Sequence, residues 1–150
     1  MNEMIRRATI DDIDGIYYLE KQYPIDMYSM DIIRDTFANN YYENLVITID
    51  DNIIGYISVT NIYEECNLVK IIIDENHRKK GYATKLINKV LNDAVEKQVQ
   101  KVYLEVRSNN IPAKNLYEKI GFKKTNTREK YYSDGMSADI YWYFLNGREN

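Results

Sequence analysis

Cysteine is nearly absent from this chain of 150 residues: Cys66 stands alone. That excludes an internal disulfide, and it suits a reducing, cytoplasmic setting. Cys66 itself reads as a small buried hydrophobe. Histidine is equally scarce, and the spacing of His77 from Cys66 does not suggest a thiol–imidazole pair. The two prolines, Pro24 and Pro112, fall where helices are expected to stop or start. No Pro/Gly/Ser-rich linker, internal repeat or low-complexity tract divides the chain, so residues 1–150 are expected to form one domain. No apolar run approaches the roughly 18 residues of a membrane span. The longest, Val69 to Ile73, is interrupted by Lys70, and nothing at the start resembles a signal peptide. A net charge of −3 and a pI near 5.3 argue against a nucleic-acid partner, which would need a basic face. Neither nucleic acid nor membrane is expected as a direct partner. A mildly acidic protein suits a basic substrate instead.

Ordered elements are well signalled. Ile5 to Ala8 reads as a strand. Thr9 caps a helix with Ile13, Ile16, Tyr17 and Glu20 at helical spacing, and Ser29 opens a second helix that ends at Asn39-Asn40. Leu45 to Ile49 and Ile53 to Thr60 flank a turn at Asp51-Asn52, and Leu68 to Ile73 follows as a third strand. Ala83, Leu86, Ile87, Val90, Leu91 and Ala94 then make one continuous apolar helical stripe. Lys101 to Arg107 alternates as a strand. Asn110 can cap the next helix, whose inner stripe is Ala113, Leu116, Tyr117 and Ile120, and Gly121 can stop it. Two last strands, Phe122 to Tyr132 and Ser137 to Leu145, flank Ser133-Asp134-Gly135. The order β-α-α-β-β-β-α-β-α-β-β predicts an α+β domain with a mixed sheet.

Chemistry concentrates in two segments. The first joins the strand Ile71-Ile72-Ile73 to the stripe helix through Arg78-Lys79-Lys80-Gly81-Tyr82-Ala83-Thr84. The first amides of a helix lack intrahelical partners and carry partial positive charge, which makes an anion site. Gly81 lets backbone approach a diphosphate closely, and the three cations add field. In isolation a basic loop of this kind is more often a solvated surface. It has neither the P-loop nor the dinucleotide-fold glycine pattern. The second segment runs from Leu104 to Phe122 and carries Glu105, Asn110 and Tyr117.

Arg78, Gly81 and Ala83 match the acetyl-CoA loop of the GNAT superfamily of N-acetyltransferases: Gln or Arg, two residues, Gly, one residue, Gly or Ala. The second segment resembles the LEVRxxNxxAxxLYxxxGF block of the RimI-like branch, the bacterial enzymes that acetylate the N-terminus of a ribosomal protein. Leu104, Glu105, Val106, Arg107, Asn110, Ala113, Leu116, Tyr117, Gly121 and Phe122 match it, ten of nineteen positions, which makes the signal specific. Arg128, Tyr131-Tyr132 and Asp134-Gly135 resemble a later R-x-x-Y-Y…D-G pattern. The resemblance covers nearly the whole chain and is weakest between Pro24 and Glu43.

The resemblance implies a GNAT fold, with a mostly antiparallel sheet of about seven strands and about four helices. It implies acetyl-CoA as co-substrate and no metal. Glu105 corresponds to the family's general base and Tyr117 to its general acid. Asn110 corresponds to a cofactor contact, as do Arg78, Lys79, Lys80, Gly81, Tyr82, Ala83 and Thr84 around the diphosphate. The backbone of Ile71, Ile72 and Ile73 would hold the acetyl carbonyl and pantetheine arm. Tyr28, Tyr131 and Tyr132, with Glu105, would meet the acceptor. The chemistry agrees: a neutral amine attacks a thioester, so one group must take a proton from the amine while another serves the departing sulfur. The competing readings are an exposed, ion-paired Glu105, a core-packed Tyr117, and strand aromatics at Tyr131 and Tyr132; His77, in the phosphate-side loop, reads as a loop or phosphate contact rather than a catalytic group.

An α-amine has a pKa of ~7.7–8.0 against ~10.4 for lysine, so deprotonating lysine costs roughly 3–4 kcal/mol more. A single glutamate suits the easier amine. That is compatible with a protein N-terminus, and the resemblance implies an alanine at the N-terminus of a small-subunit ribosomal protein as the acceptor. A small-molecule amine, a lysine, or acyl-CoA binding without turnover are the alternatives. Two departures bear on the acceptor. The family commonly has Asp-Ala where this chain has Ala138-Asp139, and a one-residue shift turns a strand side chain to the opposite face. Met27-Tyr28-Ser29 replaces a more usual Pro-Trp-Ser. Oligomeric state is not legible.

Overall fold

In the computed structural model, residues 1–145 are described. Seven strands, β1 (Glu3–Arg7), β2 (Tyr42–Ile49), β3 (Asn52–Ile62), β4 (Glu65–Ile73), β5 (Lys101–Arg107), β6 (Lys123–Arg128) and β7 (Ala138–Phe144), form one sheet in the order β1-β2-β3-β4-β5-β7-β6. Four α-helices accompany them: α1 (Ile13–Lys21), α2 (Met30–Ala38), α3 (Tyr82–Glu96) and α4 (Ile111–Ile120). The β1–β2, β2–β3, β5–β7 and β6–β7 pairs are antiparallel, and β4–β5 is parallel. The mixed α+β class and element order agree with the sequence reading.

The chain divides into two units, Met1–Asn61 with Val69–Val90, and Ile62–Leu68 with Leu91–Asn150. In the first, Ala8, Ile13, Ile16, Leu19, Ile33, Val46, Tyr56 and Ile72 form one buried cluster. The β2–β3 turn places Asp50 and Asp51 at φ 49° and 70°, left-handed values that suit the twist of a tight hairpin. Ser29 caps α2 by accepting from the Ile32 amide, as expected. A short 3-10 turn at Ile10–Asp12 precedes α1, so the α-helix starts later than Thr9 suggested.

In the second unit, β4 pairs Glu65–Leu68 against Lys101–Leu104. Val102, Leu104 and Val106 are buried, as their alternation required. Asn110 caps α4 by accepting from the Ala113 amide, and Gly121, at φ 124°, stops it. Strand β6 ends at Arg128 rather than reaching Tyr132, so residues 129–137 make a longer connection than a tight hairpin. The Gly135 amide bonds to the Tyr132 carbonyl within it. The α3 stripe is buried at Leu86, Ile87, Val90, Leu91 and Ala94, with Tyr82 rather than Ala83 fully inside at its start. Among the described residues, no helix is long and apolar enough to cross a membrane.

Candidate active site

The corner between β4 and α3 is built from below by hydrogen bonds. Asp74 closes β4: its amide bonds the Ile54 carbonyl, and its carboxylate accepts from Gln22 at 2.7 Å, from the Asn76 amide at 3.1 Å and from His77 Nδ1 at 2.8 Å. Burial alone would raise the Asp74 carboxyl, but these bonds outweigh it and hold it below the ordinary range. His77 is thus a loop anchor. Above it, Lys79 takes φ 61° and Gly81 φ 87°. A side chain at Gly81 would meet nothing within 4 Å, so the glycine serves backbone conformation and leaves the approach to the first amides of α3 open. Arg78, Lys79 and Lys80 are exposed here. Ala83 and Thr84 are half-buried, and Tyr82 is buried.

Tyr23, which the sequence reading did not single out, ties this corner to the strand. Its hydroxyl donates to the Ile73 carbonyl at 2.8 Å, and the Arg78 guanidinium lies 5.5 Å from its ring centre. Burial pushes the Tyr23 hydroxyl up, so it stays protonated and donating. Ile72 is buried, and Ile71 and Ile73 are half-buried. Tyr28 is half-buried beside Lys70, whose ammonium lies 4.1 Å from its ring centre.

In the second unit, Glu105 is opposite Ile140 across the β5–β7 pair, and its side chain is 21% exposed. The Tyr103 hydroxyl donates to Oε1 at 2.5 Å, and Arg128 Nη1 reaches the same oxygen at 3.5 Å. Tyr131 lies near Glu105, and its interaction with that carboxylate raises the Tyr131 hydroxyl. Tyr103 is raised too, first by burial and then by Glu105. Both phenols therefore stay protonated, and Tyr103 donates to the carboxylate. Tyr131 and Tyr132 meet edge to face with ring centres 5.2 Å apart. Arg107 steadies their loop, pairing with Asp134 at 2.8 Å and lying 4.2 Å from the Tyr132 ring centre.

Tyr117 is buried against Tyr141 and Phe122. Tyr141 is opposite Leu104, so Tyr117 packs on the Leu104 side of β5 whereas Glu105 points to the other. Burial pushes the Tyr117 hydroxyl up to about 12, with Tyr132 adding to the shift. The structure thus gathers Glu105 with Tyr131, and Tyr132 with both Tyr131 and Tyr117, but does not put Glu105 and Tyr117 on one face. Asn110 uses Oδ1 in its cap. The sequence also gave no sign of Tyr103 as a partner of Glu105, although the two stand at i, i+2 on one strand face.

Asp139 answers the question raised by the Ala138-Asp139 order. It is opposite Val106, away from the Glu105 face, where Ala138 is opposite Arg107. Its carboxylate is 1% exposed and meets Lys114 at 2.7 Å, Ser108 at 2.8 Å and Thr127 at 2.9 Å.

This architecture has close counterparts. The chain is 31% identical to the ribosomal protein bS18-alanine N-acetyltransferase of Haemophilus influenzae, over 81% of this chain and 82% of that one. It is 29% identical to the N-alpha-acetyltransferase of Saccharolobus solfataricus, over 89% and 88%. The crystal structure of the ribosomal-protein-S18-alanine N-acetyltransferase from Escherichia coli has the same fold, with TM-score 0.90, 22% identity and coverage of 99% and 97%. Residues 10–122, which include the β4–α3 corner, Glu105 and Tyr117, match the acetyltransferase (GNAT) family, and the chain belongs to that family.

Proposed function

We propose that this protein transfers the acetyl group of acetyl-CoA to the N-terminal α-amine of a protein, an alanine of a small-subunit ribosomal protein. The observation that carries the reading is the β4–α3 corner, where the open, left-handed Gly81 precedes the first amides of α3 beside three exposed cations. That donor set fits a diphosphate. Arg78, Lys79, Lys80 and the backbone from Gly81 to Thr84 would hold it, with Tyr82 packing beneath. The backbone of Ile71 to Ile73 and the Asn110 amide NH2 would meet the rest of the cofactor. The acceptor activities named for the Haemophilus and Saccharolobus relatives support a protein N-terminus as the substrate.

Acetyl-CoA supplies a thioester, in which a C–N bond replaces the C–S bond. Glu105 takes the proton that the attacking nitrogen loses, directly or through water. From the face of β5 opposite Glu105, the Tyr117 hydroxyl would offer a hydrogen bond to the sulfur as negative charge develops there. Full transfer from a phenol at about 12 to a thiolate whose acid has pKa ~8.5 would cost roughly 5 kcal/mol. The tyrosine therefore stays protonated, and the proton count closes through solvent: Glu105 releases its proton to water, and the thiolate gains one from water. Tyr28, Tyr131 and Tyr132 would line the approach of the acceptor.

The test pairs calorimetry with coenzyme A and intact-mass analysis of a peptide beginning with alanine. Binding and gain of one acetyl group are expected. Acetylation of a polyamine or lysine instead would move the acceptor class. Binding without turnover on any amine would leave an acyl-CoA-binding module, and no affinity for coenzyme A would end the reading.

A further inference from the structure

Lys70 is an anomaly of the sequence, a cation within the apolar strand from Leu68 to Ile73. A lysine there needs a partner. It finds Glu20 of α1, whose side chain is fully buried, at 3.1 Å. Glu20 also accepts from the Tyr56 hydroxyl and, at 3.0 Å, from the Tyr28 amide. The ammonium donates to the Asp26 carbonyl at 2.6 Å and sits 4.1 Å from the centre of the Tyr28 ring. One ion pair thus holds three parts of the segment between α1 and α2: a carbonyl, an amide and a ring. Asp26 has φ 63°, a left-handed value uncommon outside glycine that persists where surroundings enforce it.

Two apolar side chains of similar volume would pack β4 against α1 at least as well as a buried ion pair does. They could not bind the Asp26 carbonyl or the Tyr28 amide. We propose that Lys70, through Glu20, is a positioning residue for acceptor recognition, setting the α1–α2 segment so that Tyr28 is presented in one orientation. This rests on the reading of Tyr28 as an acceptor contact. Met27 and Ile25, both exposed beside it, give the segment an apolar surface suited to the side chains that follow a chain terminus.

The test is a pair of variants, K70M and the double variant E20L/K70M, assayed with a peptide beginning with alanine. Removal of binding common to ground and transition states raises KM without lowering kcat, here on the order of tenfold for the peptide. The KM for acetyl-CoA stays within about twofold, because the β4–α3 corner is untouched. Hydrogen exchange at the Tyr28 amide accelerates in both variants. The double variant strands the buried Tyr56 hydroxyl and melts lower for that reason, so adding Y56F to it should restore melting to the wild-type temperature, which separates positioning from stability. Wild-type peptide KM in a folded double variant overturns the proposal, as does unchanged Tyr28 exchange in K70M. Wild-type protein that acetylates no peptide overturns the proposed function instead, and the Tyr28 exchange rate still reports on the clamp.

Discussion

Two carboxylates one step apart in the β5–β7 register lead opposite lives. Glu105 and its partner Ile140 face one side of the sheet, and Val106 and Asp139 face the other. Asp139 is sealed among Lys114, Ser108 and Thr127. Burial alone would raise its carboxyl, but those bonds outweigh it and hold it at about 2. Such a group is ionised throughout the working pH range and cannot exchange protons. Glu105 is held by Tyr103 and Arg128, yet remains 21% exposed, and Tyr131 near it is itself 46% exposed. Partners that can swing aside leave a carboxylate able to meet a substrate. Burial and the rigidity of the donors, rather than residue type, separate the sealed acid from the one to which the proposed function assigns proton transfer.

Three experiments press on this contrast. E105Q is expected to lower kcat/KM by roughly 10²–10⁴, the usual worth of a general base, while the melting temperature barely moves. A large drop in melting temperature would assign Glu105 to the fold. D139A is expected to do the reverse. It strands the half-buried Lys114 ammonium and costs roughly 3 kcal/mol, the low end for a broken buried pair because Lys114 keeps a path to water. In a chain this size that lowers the melting temperature by about 6–12 °C, with kcat of the folded fraction near wild type. The smallest effect is in acid. The Asp139 carboxyl is depressed from 3.8 to about 2, so its contribution is complete above the unfolded value and is lost as pH falls through the folded one. The loss between about pH 4 and pH 2 is roughly 2 kcal/mol. Urea titrations of wild type and D139A across that window should converge as pH falls; curves that stay parallel would remove Asp139 from the acid response.

Periodicity made most of the fold legible. The α3 stripe, the alternation of β5 and the caps Ser29, Asn110 and Gly121 are local patterns, and each appears where spacing put it. The register argument at Ala138-Asp139 also worked, because a period of two is strict. Most of what was not legible depends on residues far apart in sequence. Glu20 fell on a helical stripe, but Lys70 and Tyr56 lie 50 and 36 positions away. Tyr23 reaches Ile73 across a similar span. The end of β6 at Arg128 was missed because Glu129 to Tyr132 contains no proline or glycine to mark a boundary.

Under the proposed function, the Tyr23 ring beside Arg78 has a consequence for how the diphosphate of acetyl-CoA would be received. A long cationic side chain waving in solvent forfeits about 0.5–1.5 kcal/mol of rotamer entropy when an anion captures it. A guanidinium already resting on an aromatic shelf has surrendered part of that freedom during folding, so on the proposed reading the docking and release of a diphosphate there would carry a smaller ordering penalty.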